Sequence, residues 1–106
     1  MEYVKVTSKI KVTKTKGGRR KIRIKGVNGN KVKNWKEKDR KKIDKASKEF
    51  TGVECSHLIL SRDERDFHKT HRFQGSDGTW YAIYAHDSEN PRGAGYTIIE
   101  SKKQRP

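Results

Sequence analysis

"SKIKVTKTKGGRRKIRIKGV", residues 8 to 27, decides the fold, because it fixes two strands and the turn between them. Ile10 and Val12 alternate with Lys9 and Lys11, and beyond Gly17-Gly18 the residues Ile22 and Ile24 alternate with Lys21, Arg23 and Lys25. A period of two is the mark of a half-buried strand, and two such runs about a glycine pair read as a β-hairpin. The alternation reaches back through "EYVKVT", where Val4 and Val6 join the apolar set and Tyr3, Lys5 and Thr7 the polar one. Loop length sets the register. A two-residue Gly-Gly loop would put Val12 opposite Arg23 and mix the faces, whereas a three-residue loop puts Val12 opposite an isoleucine, so the longer loop with a glycine at positive φ is predicted.

In that register Lys5, Lys9, Lys11, Lys21, Arg23 and Lys25 share one face. Like charges facing each other across strands cost a few tenths to about 1 kcal/mol per pair, so such a face is unfavourable unless an anion covers it. Lysines also guard edge strands against aggregation, but six cations with no acid exceed that need.

The whole chain repeats the bias. Its 106 residues carry a formal net charge of +14, with 38% charged against 29% hydrophobic residues. Residues 1 to 50 hold 19 Lys/Arg and 5 Asp/Glu, while residues 51 to 106 hold 8 of each. The excess therefore belongs to the first half, and an anionic partner is expected: nucleic acid first, an anionic surface or an acidic protein next. Length implies a single domain over residues 1 to 106. No run approaches the roughly 18 apolar residues of a membrane span and no secretion signal is visible, so a cytoplasmic protein is expected. Cys55 has no second cysteine to pair with.

After the turn-rich "GVNGNKVKN", Asn34 and Glu37 have the spacing of a helix N-cap, and Trp35, Ile43, Ala46 and Phe50 recur as one helical face, predicting a helix to about residue 49 closed by Gly52. Lys36, Lys38, Arg40, Lys41, Lys42, Lys45 and Lys48 crowd its other face, with Glu37–Lys41 and Asp44–Lys48 as pairs four apart. Lys38, Lys41, Lys42 and Lys45 join the hairpin cations as candidate phosphate contacts. "HLIL" reads as a short buried strand, Ser61 with Glu64 as the cap of a second helix over 62 to 69, "THRFQ" and "TWYAIYA" as a hairpin, "YTIIES" as a last strand, and residues 101 to 106 as a frayed tail. The expected fold is α+β: an N-terminal hairpin, an amphipathic helix, then a short strand and antiparallel C-terminal strands forming one sheet or a small barrel.

"SRDERDFHKTHRF", residues 61 to 73, packs three acids, four bases and two histidines into thirteen positions. On a helix Glu64, His68 and His71 would share a face, and histidine beside a carboxylate suits proton transfer near neutral pH. A metal-independent ribonuclease would need little else: His57, His68, His71 or Glu64 as base and acid, with Arg72, Arg92 or Lys69 as the cation for the phosphorane. The plainer role is a solvated, charged turn. Cys55, His57, His68 and His71 supply the donor types of a tetrahedral zinc site, but C-x-H departs from the usual spacing, and a cofactor-free protein with Cys55 in the core is the expectation. Among the aromatics, Trp35, Phe50, Phe67, Trp80 and Tyr96 read as core, while Tyr3, Phe73, Tyr81 and Tyr84 are candidates for a base-stacking platform.

No phosphate loop, dinucleotide motif or nucleophile elbow appears. In outline a small basic α+β chain ending in antiparallel strands is similar to compact ribonuclease toxins, a likeness that no motif carries. The functional expectation is a nucleic-acid-binding protein, leaning to RNA or single strands, that contacts phosphates through the hairpin and first helix. Its alternatives are a toxin-like ribonuclease and a basic module for an acidic protein partner.

Overall fold

The computed structural model describes residues 8–27, 32–60, 70–86 and 93–101. Strands β1 (Lys9–Lys14) and β2 (Arg20–Lys25) form the N-terminal hairpin; a 3₁₀ turn (Val32–Asn34), helix α1 (Glu37–Thr51) and helix α2 (Cys55–Leu60) follow, and then β3 (His71–Gln74), β4 (Trp80–His86) and β5 (Gly95–Glu100). All five strands join one open antiparallel sheet in the order β1-β2-β5-β4-β3. This is the expected α+β arrangement in its open form, a sheet and not a barrel.

The hairpin has the predicted register. Val12 pairs with Ile22 and Ile10 with Ile24, and the Thr15 N–H donates to the Arg19 carbonyl while the Gly18 N–H donates to that of Thr15. Three residues thus make the loop, and Gly18 takes φ +82°, the left-handed position a hairpin loop of this length requires.

Sheet alternation then separates two faces. Ile22, Ile24, Tyr96, Ile98, Tyr81, Ile83 and Ala85 turn to one side and are all buried. Helix α1 covers them with Ile43 and Phe50, Trp35 just after the 3₁₀ turn packs against Tyr96, and α2 adds Cys55 and Leu58. Burying a large aliphatic or aromatic side chain contributes about 1.5–3 kcal/mol, so this layer holds most of the stability.

Several local expectations need correction. Helix α1 starts after Lys36, whose side chain makes no cap bond, so Asn34 and Glu37 do not form a capping box; Asn34 is instead the end of the 3₁₀ turn. The helix runs on to Thr51, and Gly52 closes it at φ +84° as expected. "HLIL" belongs to α2 and is not a strand: Cys55 and Leu58, three apart, point into the core, and a four-residue apolar run carries no period to separate helix from strand. Asp44 does not pair with Lys48 along α1. Its carboxylate accepts from the Ser56 N–H at 2.9 Å and the Ser56 hydroxyl at 2.8 Å, satisfying the first turn of α2. The helix expected over 62 to 69 and the tail beyond Ser101 lie outside the described residues; Ser101 itself donates its N–H to the Trp80 carbonyl.

At one end of the sheet the helix layer is tied down by polar groups. The Tyr81 hydroxyl donates to the Phe50 carbonyl at 3.0 Å. It also accepts from Arg20, whose guanidinium meets Glu100 at 3.0 Å and lies 5.1 Å above the Phe50 ring. The hydrogen bond from Arg20, opposed by partial burial, holds the Glu100 carboxyl below its ordinary range. A depressed folded-state value stabilises the fold above the unfolded value of about 4.3 and loses that contribution as pH falls through the lower folded value. Glu100→Gln should therefore lower the urea midpoint at neutral pH and make unfolding less acid-sensitive below about pH 4.

The C-terminus of α1 also docks on the β3–β4 turn, where the Ser76 N–H donates to the Thr51 carbonyl at 3.0 Å. A Cβ on Gly52 would strike the Ser76 side chain, whereas one on Gly78, also at positive φ, would meet only open space and the end of Gln74. Gly78→Ala should cost about 1–2 kcal/mol from backbone strain alone, and Gly52→Ala clearly more, in denaturant titrations of the two variants.

Candidate functional site

The second face of the sheet is the polar one. Each row across it can be read from the register: Lys11–Arg23–Thr97–Tyr84, Lys9–Lys25–Gly95–His86, and Thr13–Lys21–Ile99–Ala82–Arg72. Lys9, Lys11, Lys21, Arg23 and Lys25 therefore do share one face, with Arg72 joining from the far edge; Lys5 lies outside the described residues. Among the described residues this face holds no acid.

The cations of α1 are elsewhere. Ile43, Ser47 and Phe50 bury the helix against the sheet, and Lys38, Lys41 and Lys45, exposed, fall on the opposite side of its 3.6-residue turn, with Lys42 exposed on its flank. Hairpin and helix cations thus lie on opposite outer surfaces of a two-layer structure, separated by the sheet and a helix of about 10 Å diameter. A flat contact therefore reaches one set or the other. Lys41 is also 3.7 Å from Glu37 in an exposed ion pair. A shallow groove of about 510 Å³ beside α1 mixes Arg40, Lys41, Lys45 and Lys48 with Asp44 and Glu54, so the charge there is partly neutralised.

Of the expected catalytic residues only His57, His71 and Arg72 are among the described ones, and these three do not gather. His71 and Arg72 are consecutive on β3 and so point to opposite sides: His71 is on the helix side, its ring stacked with Phe73 at 6.5 Å, and Arg72 is on the open face. Arg72 therefore cannot supply a cation to chemistry at His71. His57 is exposed on α2; Glu64 and His68, like Lys69 and Arg92, lie outside the described residues. The zinc set fares similarly. Cys55 is fully buried, and burial together with nearby Asp44 pushes its thiol up, away from the thiolate a metal needs. His57, two residues on in a helix, faces another way. Among the described residues no three His, Cys, Asp or Glu side chains converge as a metal site.

Aromatic placement splits the expected groups. Trp35, Phe50 and Tyr96 are core as predicted; Phe73 and Tyr81 are core too, not platform. Trp80 and Tyr84, half-buried, stand on the open face, and Tyr3 and Phe67 lie outside the described residues.

What sequence reading missed is His86, buried in the end row of that face beside Tyr84. Tyr84 and His86 alternate onto it from β4, their rings edge to face at 6.2 Å. His86 Nδ1 is hydrogen-bonded to the Gly93 carbonyl oxygen, while Nε2 lies 3.1 Å from the Thr97 hydroxyl and 3.4 Å from Arg23 Nη1. The period of "TWYAIYAH" was enough to put Tyr84 and His86 on one face; the order β2-β5-β4, which brings Arg23 and Thr97 to them, was not in it.

The cross-strand pairs Lys9–Lys25 and Lys11–Arg23 set like charges opposite each other. Lys11→Glu should therefore raise the thermal midpoint at low salt, by an increment of up to about 1 kcal/mol, and that gain should shrink as salt is added. No protein-family model, curated protein or solved structure matches this chain.

Proposed function

We propose that the chain binds nucleic acid on the open face of its sheet, with phosphates along β1 and β2 and bases towards β4. The observation that carries this reading is the pairing of Lys9 with Lys25 and Lys11 with Arg23 on a face where the described residues include no acid. Such pairs weaken the hairpin, and a bound polyanion reverses the sign of their contribution. Strand spacing of about 4.8 Å puts β4 roughly 10 Å from β2. Trp80 and Tyr84 then lie where the bases of a single strand fall when its backbone follows the cations, an arrangement open to RNA and closed to the stacked interior of a duplex. A dock for an acidic protein would use the same lysines but leaves the aromatic residues without a role.

The salt dependence of binding tests this. With five hairpin cations each on a phosphate, log K against log salt should slope by roughly −3.5 for a single strand and −4.5 for a duplex. Neutralising Lys9, Lys11 and Lys21 to Gln should flatten the slope by about 0.7–0.9 per residue. Neutralising Lys38, Lys41 and Lys45 should leave it unchanged; flattening by the helix variant alone would move the interface to the other side.

A further inference from the structure

Helix α1 presents a second basic surface that the proposed interface leaves unused. Lys38, Lys41, Lys42, Lys45 and Lys48 are all exposed. At about 100° per residue they fall within one half of the helix, away from the buried Ile43, Ser47 and Phe50. We infer that this stripe holds the phosphates of a second nucleic-acid segment, so that one molecule bridges two strands, one on each outer surface. The inference rests on the nucleic-acid-binding reading and adds to it the number of strands held.

The stripe repeats on a helix what the hairpin does on a sheet. Lys38 has Lys41 and Lys42 three and four residues on, Lys41 has Lys45, and Lys45 has Lys48. Side chains at these spacings are neighbours, and like charges there destabilise the helix until an anion covers them. Glu37 and Glu49 share that half of the helix, both exposed, and Glu37 lies 3.7 Å from Lys41, so five lysines meet two glutamates. Asp44 and Glu54 line the groove beside Lys41, Lys45 and Lys48; they border the stripe and repel a strand that strays from it. From Lys38 to Lys48 the stripe is about 15 Å long, enough to meet several successive phosphates. The one aromatic residue of α1 is Phe50, which is buried. The second segment is therefore held through its phosphates, without base stacking and without a choice of sequence.

The two segments are compatible because of the layers between them. Sheet and helix, each about 10 Å thick, keep the occupied surfaces roughly 20 Å apart. That is more than twice the Debye length of about 8 Å at physiological ionic strength, so repulsion between the strands is largely screened while each neutralises its own lysines. Where both segments belong to one long chain, the first contact raises the effective concentration of the second.

The test counts strands per protein. Oligouridylate of about eight nucleotides, within the range of one single-strand site, cannot pair with itself; it is titrated into the protein at low salt, and sedimentation gives the mass of each complex. The wild type should take up two strands in succession, and both steps should weaken as salt is added. The triple variant Lys38→Gln, Lys41→Gln, Lys45→Gln should leave the first step as it was and weaken the second by about a hundredfold or more, since each lost contact removes roughly 0.7 from the salt slope of log K. Its three sites are exposed and its thermal midpoint should not fall, which separates lost binding from a lost fold. A single strand per wild-type molecule, or a second step that the variant retains, overturns the bridge and leaves the binding reading standing. If polyglutamate fills the helix surface of the one-strand complex and a second strand does not, the surface is a dock for an acidic protein and the bridge fails. Absence of any bound strand at low salt overturns the binding reading itself.

Discussion

The pairing of β2 with β5 is the constraint on which the molecule depends. Two-stranded hairpins are marginal in water, and the chain makes one at each end. Placing β5 between β2 and β4 sets Ile22 against Ile98 and Ile24 against Tyr96 and turns two weak ribbons into one five-stranded sheet. Only then is there an apolar surface broad enough for α1, the 3₁₀ turn and α2 to cover. The polar ties at the sheet's end, from Arg20 to Glu100 and to Tyr81, cross the same seam and hold the register of that union.

An antiparallel sheet needs cover on one side alone, and this one uses the freedom fully. Its covered side takes the buried isoleucines and aromatics, and its open side collects the hairpin cations, Arg72, Ile99, the two half-buried aromatics and the Arg23–His86–Thr97 group. Charge and packing are thereby kept apart by the strand period of two. The helix obeys the same economy with its own period, sending Ile43 and Phe50 inward and its lysines outward, and so a chain with one basic half becomes a molecule with two basic surfaces facing away from each other.

Much of this was legible in residues that have a strong local period. Val12 meets an isoleucine because the strand alternation excludes the two-residue loop, and Gly18 and Gly52 sit where a backbone with φ above zero is required. The four residues of "HLIL" offered no period, and the first turn of their helix is satisfied by Asp44, twelve residues before Ser56, whose backbone and hydroxyl it accepts from. His71 and Arg72 looked like partners because they adjoin in sequence; a strand sends adjacent residues to opposite faces, and that single fact separates them.

Sequence alone determined the hairpin and its register, the apolar stripe of α1, the C-terminal antiparallel strands and the common face of the hairpin cations, since each follows from contacts between near neighbours along the chain. Tertiary structure decided which side of the sheet the helices cover, that the helix lysines point away from the hairpin lysines, and that His86 comes to rest between Arg23 and Thr97. The physical reason is sequence distance: Arg23 and His86 are 63 positions apart, and what joins them is the order of strands in the sheet, which the burial of the whole apolar face selects and no local pattern encodes.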